Sequence, residues 1–246
     1  MKGSTSLFMR DNSLLIDFLN TMKIGYDENK LQQLEIFYDL LIKENMKHNL
    51  TAITDYEDVL IKHYADSLAL LKFIDIKPED SILDIGTGAG FPGIPLKIFL
   101  PSNPITLIEA TEKKVNFIGN ICDELAIDDI CLCQCRAEDI AHDDEFRETF
   151  DFVLSRAVGN LSVLAEYSLA FVKVGGHFIA YKGEGAEEEA DFSKNAINLM
   201  GGKLENIVHF NLSGSDNKRS FIIIKKVKST PSKYPRSNAT IKKHQL

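Results

Sequence analysis

Ser81-Ile-Leu-Asp-Ile-Gly-Thr-Gly-Ala-Gly-Phe-Pro-Gly-Ile-Pro-Leu96 is the stretch from which the fold is read. A short aliphatic run leads into Gly86-x-Gly88-x-Gly90, and a helix with Pro92 at its start follows. Glycines let the backbone turn tightly and come close to a ligand. The N-terminus of the next helix favours electronegative ligand atoms. Nineteen residues after Gly90, at the end of the next apolar run, stands Glu109. A carboxylate there can accept hydrogen bonds from ribose hydroxyls.

A dinucleotide-binding fold has the same layout, but its glycines are spaced G-x-G-x-x-G. Here the spacing is G-x-G-x-G, and Asp84 closes the first strand. A carboxylate beside the loop repels a pyrophosphate. It suits a cofactor with a cationic end, such as the amino group and sulfonium of S-adenosyl-L-methionine. These features favour a methyltransferase, with a dinucleotide enzyme as the alternative. A glycine turn with no ligand would leave two acidic strand ends unexplained.

Outward from the loop, the chain after Lys77 alternates short β-branched runs with helical stretches. The runs are Ser81–Ile85, Ile105–Glu109, Ile130–Cys135, Phe152–Ser155 and His177–Tyr181. The helices are Pro92–Phe99, Glu112–Leu125, Leu161–Val172 and Glu187–Met200. Such alternation predicts an α/β fold, a Rossmann-like parallel sheet covered on both faces. Lys203–Asn211 and Arg219–Val227 follow, joined only by the polar connector Leu212–Lys218. That connection is too short for a parallel crossover, so the sheet ends in an antiparallel hairpin. Methyltransferases of class I add an antiparallel strand to a Rossmann sheet in the same way. Helices are predicted before the sheet over Ser13–Met22, Lys30–Lys47 and Tyr56–Ile74. The expected organisation is an N-terminal helical extension (1–76), a methyltransferase core (77–228) and a basic flexible tail (229–246).

The 246 residues are 44% hydrophobic and 26% charged, as in a globular domain, which excludes disorder as the main state. No window approaches the ~18 apolar residues of a membrane span, and the start lacks a signal-peptide pattern. Cys122, Cys131, Cys133 and Cys135 are expected to be small buried hydrophobes, the last three on one face of a strand, and neither a metal site nor a disulfide is expected. A reducing cytoplasmic setting and a monomer are expected. The net charge of −8 argues against a nucleic-acid partner at first sight. Yet residues 217–246 hold nine basic residues and no acidic one, leaving 19 basic against 36 acidic residues elsewhere. That asymmetry marks an interaction segment.

The segment Asp84 to Leu96 resembles the signature of the glucose-inhibited division protein B family, and its Phe-Pro-Gly-Ile-Pro extension is the specific part. Asn49-Leu-Thr51, His63-Tyr-Ala-Asp-Ser-Leu68, Glu109 to Phe117 with Lys113 and Lys114, Arg136-Ala-Glu-Asp139, Ser155-Arg-Ala157 and Lys182-Gly183 resemble further family motifs. The resemblance spans roughly residues 30–236. After Tyr234-Pro-Arg236 it fades, with Asn238-Ala-Thr-Ile241 where the family often has Gly and Pro. It implies an S-adenosylmethionine-dependent enzyme that methylates N7 of a guanosine in 16S ribosomal RNA of the small subunit. It also implies cofactor contacts at Gly86, Phe91, Ala137, Glu138 and Arg156.

The residues themselves add Asp84, Gly88, Gly90 and Glu109 to the cofactor set. Arg156 and Lys113 are candidates for catalysis or RNA contact, because strand ends line the crevice of an open α/β sheet; His63, which on a helix reads as packed core or surface, joins them only through the family resemblance. Lys114 and Arg136 fit either RNA contact or a solvated surface, and Asn49 either a cap or a substrate contact. Asp66 and Glu138 are candidates to stabilise the positive charge that methylation puts on guanine. Guanine N7 has an in-plane lone pair and needs no deprotonation, so positioning carries most of such a reaction. A small-molecule methyltransferase and a non-catalytic ribosome-assembly factor are the alternatives.

Overall fold

The computed structural model describes residues 10–156, 159–212 and 218–246. Ala157 and most of the predicted connector Leu212–Lys218 lie outside the described residues. Two helices come first, α1 (Ser13–Met22) and α2 (Glu28–His48). Asp27 caps α2 by accepting from the Lys30 amide at 2.9 Å, and Asn49 ends it in the left-handed region.

The predicted third helix, Tyr56–Ile74, is not uniform. It runs as α3 (Tyr56–Val59), a π-helical turn (Leu60–Ala65), α4 (Asp66–Leu68) and α5 (Leu70–Phe73). Apolar spacing does not reveal a wide turn, because the buried face stays continuous. Carbonyls of this segment take tertiary partners: Lys62 O accepts from Arg156 at 3.0 Å, and Ser67 O from the Tyr181 hydroxyl at 3.1 Å.

Then follow β1 (Ile82–Ile85), α6 (Gly93–Phe99), β2 (Ile105–Glu109), α7 (Glu112–Glu124), β3 (Ile130–Gln134) and α8 (Ala137–Ile140). The second half comprises β4 (Phe150–Arg156), α9 (Leu161–Ser168), β5 (Val172–Lys182), α10 (Ala186–Phe192), α11 (Lys194–Leu199), β6 (Gly202–Asn211), β7 (Lys218–Lys226) and α12 (Asn238–Lys243). The seven strands lie in the order β3-β2-β1-β4-β5-β7-β6. β1 to β5 are parallel, and β7 pairs antiparallel with both β5 and β6. The predicted parallel sheet with a terminal hairpin is the observed one.

Alternate residues of each strand face opposite layers. Ile82, Phe152, Ile179 and Ile223 pack under the N-terminal helices, α6 and α7. Leu83, Val153, Phe178 and Ile224 pack under α9, α10, α11 and the C-terminal segment. Burial on both faces explains why these strands read as unbroken apolar runs rather than alternating ones.

Several expected boundaries shift. The helix predicted to end at Val172 stops at Ser168, because Val172 opens β5. β5 starts early by passing close over β4: a Cβ on Gly176 would meet Asp151 O at 2.6 Å. Glu187–Met200 is two helices that meet at buried Ser193, whose hydroxyl pairs with Ser162 at 3.1 Å. The cysteines are not buried: Cys131 is exposed and Cys122, Cys133 and Cys135 are half-buried. Cys131 and Cys133 lie on β3, an edge strand open on one side. The tail, expected to be flexible, packs on the core. Tyr234 and Ile241 are buried in the α9 layer, and Arg236 forks onto Glu166 at 2.7 and 2.8 Å. Composition shows the polarity of this segment but not its partners on α9. Among the described residues no helix is long and apolar enough to cross a membrane.

Candidate active site

The glycine loop joins β1 to α6 at the carboxyl edge of the sheet. Gly86, Gly88 and Gly90 all take positive φ, at 70°, 64° and 95°. A Cβ at Gly90 would strike Ile94 Cγ1 at 2.8 Å, whereas at Gly88 it would meet only Gly86 O, at 3.9 Å. Gly93 is needed for a different reason: a Cβ there would sit 2.2 Å from Leu107 Cδ2, so it sets how closely α6 lies on β2.

Asp84 is fully buried and accepts from the Gly93 amide at 2.9 Å. It anchors the start of α6 beneath the loop, not at the cleft surface where the sequence placed it. Burial raises its pKa to about 6, with the Gly93 hydrogen bond opposing. Glu109 holds the other side of the loop, accepting from Gly88 N at 3.1 Å and from Thr111 N at 2.8 Å.

Native structures leave few buried polar atoms without a partner. Among the described residues there are four; Asp84 Oδ1 and Thr87 Oγ1 lie buried beneath the loop, where Thr87 supports the Asp84 carboxylate, and Glu138 Oε1 lies just after β3. Ala137, beside Glu138, is buried. The unfilled Glu138 acceptor, at the same edge of the sheet as the loop, fits a polar, nucleoside-bearing ligand.

A cleft of about 450 Å³ opens next to this, over the ends of β4, β5 and β7. His63, Asp66, Arg156, Lys182 and Arg219 line it. The Arg156 guanidinium is the hub. Its Nη1 donates to Asp66 Oδ2 and to Lys62 O, both at 3.0 Å, and its Nη2 donates to His63 Nδ1 at 3.1 Å. A guanidinium only donates, so His63 Nδ1 accepts. The ring proton therefore sits on Nε2, which donates to Thr51 Oγ1 at 3.1 Å. Burial, and then the Arg156 charge, lower the His63 pKa to about 3. Asp66 is itself buried, and its second oxygen accepts from Arg219 Nε at 3.2 Å.

Phe91 ties this network to the loop. Its ring stacks on His63 at 4.3 Å and on Phe37 at 4.9 Å, both nearly parallel to it. Two rings so close cannot share one face, so Phe91 is sandwiched, with the Arg156 cation 5.2 Å from its centroid. The expected apolar surface for a ligand is thus covered, and the ring instead fastens the N-terminal helices to the loop.

Sequence reasoning grouped Arg156, His63 and Lys113. The structure joins the first two and sets Lys113 apart, where its ammonium donates to His48 O at 3.1 Å at the end of α2. That contact fits a cation at a helix C-terminus. Lys114 lies 3.8 Å from Glu109, and Arg136 is exposed. Asn49, expected to cap the following structure or touch substrate, instead ends the preceding helix α2 in the left-handed region, its amide donating to Asn45 O. Arg219 and Thr51 were missed as parts of the network. Arg219 reaches Asp66 from 153 residues away, and nothing in its local sequence signals that.

The family model for rRNA small subunit methyltransferase G matches residues 30–221. The ribosomal RNA small subunit methyltransferase G of Lachnoclostridium phytofermentans is 47% identical over 229 residues, covering 93% of this chain and 95% of that one. The protein of the same name from Clostridium tetani is 43% identical over 238 residues, covering 97% and 100%. Among solved structures, TrmN from Thermus thermophilus superposes with a TM-score of 0.51 at 19% identity, covering 65% of this chain and 48% of that one, a likeness of fold. With a family match across both the loop and the cleft, and relatives matched nearly end to end, the chain belongs to the rRNA small subunit methyltransferase G family.

Proposed function

We propose that this protein transfers a methyl group from S-adenosyl-L-methionine to N7 of a guanosine in 16S ribosomal RNA. The cofactor, when bound, supplies an electrophilic methyl on a sulfonium. Glu109, Gly88, Ala137 and Glu138 are the residues that would hold its nucleoside end. Buried Asp84 sets a negative field under the loop that favours its cationic end.

The observation that supports the choice of N7 is that each titratable side chain of the cleft network is already engaged by a neighbour, so none is set aside as a dedicated base. Both Asp66 oxygens accept from arginines. His63 spends its one lone pair on Arg156 and its proton on Thr51. The Tyr181 hydroxyl is buried and donates to Ser67 O. Methylating a hydroxyl or an exocyclic amine requires proton removal, and guanine N7 does not. The work left to the protein is orientation, for which a rigid hydrogen-bonded frame suffices. Lys62, Arg156, Lys182 and Arg219 line the cleft with Asp66, and the partners of Lys62 and Lys182, Asp58 and Glu189, lie outside the lining, so the cleft wall itself is basic and suited to a polyanion.

The test incubates the purified protein with methyl-labelled cofactor and either naked 16S RNA or assembled small subunits, then digests the RNA to nucleosides. Label in 7-methylguanosine is expected. Label in a ribose-methylated nucleoside or an amine-methylated base, or none in RNA, would overturn the reading.

A further inference from the structure

The nine basic residues at the C-terminal end are not equivalent. Lys218, Arg219, Lys225, Lys226 and Arg236 each pair with a carboxylate, Lys218 and Lys225 on the exposed surface and the other three within the fold. That leaves Lys228, Lys233, Lys242 and Lys243 without an ion pair among the described residues. The course of the chain separates these four. β7 runs antiparallel to β5, so Lys226 and Lys228 lie at the amino edge of the sheet, away from the cleft.

From there the chain climbs back. Thr230 N donates to Glu148 at 2.6 Å at the foot of β4. Arg147 grips Thr230 O at 2.9 Å and Tyr234 O at 3.0 Å. Arg236 then holds Glu166 near the end of α9, and buried Ile241 fixes α12. Finally Gln245 accepts from Asn160, the N-cap of α9 at the carboxyl edge, at 2.6 Å. The segment is a strap laid antiparallel to α9. It delivers exposed Lys242 and Lys243 to the edge where the cleft opens. Two hydrogen bonds complete the connection: cleft-lining Lys182 donates to Gly159 O at 3.0 Å, and the next residue, Asn160, carries Gln245.

We propose that the strap extends the basic lining of the cleft into a rim, and that Lys242 and Lys243 contact backbone phosphates of the substrate RNA beside the target nucleotide. The proposal rests on RNA being the substrate. Each lysine–phosphate contact contributes roughly 0.7–0.9 to the slope of log affinity against log salt. Replacing both with glutamate should raise the KM for small subunits and for 16S RNA about tenfold, with kcat nearly unchanged. The salt slope should become shallower by about 1.5. Affinity for S-adenosylmethionine and the melting temperature should hold.

Lys203→Glu with Lys228→Glu makes the same charge change at the opposite edge and should leave KM as it is. Lys242→Arg with Lys243→Arg should keep both KM and slope, and the alanine pair serves if the glutamate pair folds poorly. An unchanged KM and slope in the strap variants, or equal changes in the opposite-edge pair, would overturn the rim while leaving the RNA reading intact. Wild-type protein that labels no RNA would overturn the RNA reading, and the rim with it.

Discussion

Arg156 satisfies three acceptors at once, and no other cation shape does so. Its fork reaches Asp66, Lys62 O and His63 together. Lysine keeps the charge but offers a single point donor. Arg156→Lys should therefore lower the single-turnover rate less than Arg156→Ala, for which a loss of about 100-fold is expected from misplacement of the reacting groups. Cofactor affinity measured by calorimetry should separate positioning from binding. His63, with its pKa lowered to about 3, stays neutral throughout the working range. At saturating cofactor the methyl-transfer rate should be flat between about pH 6.5 and 8.5, and a step near pH 6.5 that persists in Asp84→Asn would contradict a neutral His63. Asp84 behaves oppositely. Its folded pKa of about 6 lies above the ordinary 3.8, so the folded state binds its proton more tightly. Stability contributed by that proton is present at low pH and lost as pH rises toward 6. Cofactor affinity should fall as pH drops through about 6, and Asp84→Asn should remove that dependence. The sequence showed Asp84 as acidic and adjacent to the loop. That its carboxylate turns inward to Gly93 followed only from the packing of α6.

At the level of elements, glycine positions in one loop do different work. Gly93→Ala forces a Cβ into Leu107 and should cost about 1–3 kcal/mol of stability by overpacking. Gly88→Ala makes only an ordinary contact with Gly86 O at 3.9 Å, so the strain of positive φ, about 1–2 kcal/mol, is what opposes it. Thermal unfolding should show the first variant as the less stable, while titration with cofactor should show Gly88→Ala as the weaker binder. The reverse ranking would contradict the separation of roles. The strands and the closing hairpin were legible, because buried parallel strands leave apolar runs and a short connector forces a hairpin. The π-helical turn was not, since Leu60, Ile61 and Tyr64 keep an apolar face through it. Nor was the exposure of Cys131, which depends on β3 having no outer neighbour.

Across the whole molecule, distant segments are fastened by buried ion pairs. Lys226 is fully buried, with Glu148 at 2.9 Å and Thr230 Oγ1 at 2.6 Å. Removing one partner of such a pair is costly, so Lys226→Ala should destabilise the protein by roughly 3 kcal/mol in denaturant unfolding, with cofactor affinity retained. An acidic chain with a basic end suggested a free arm, but five of those nine charges have carboxylate partners, three of them within the fold. Charge along a sequence does not reveal which carboxylate a cation will meet, so the strap and the Asp66 hub became visible only in three dimensions.

The central claim is methylation at guanine N7 in a cleft organised by Arg156. A single-turnover reaction on small-subunit RNA, followed by reduction and aniline scission, tests it most directly, because the backbone then breaks where a guanine carries an N7 methyl. One strong break is expected with the wild-type protein, and a break weakened about 100-fold with Arg156→Ala at unchanged cofactor affinity. A methyl label in RNA that produces no break, or an undiminished break with Arg156→Ala, would contradict the account.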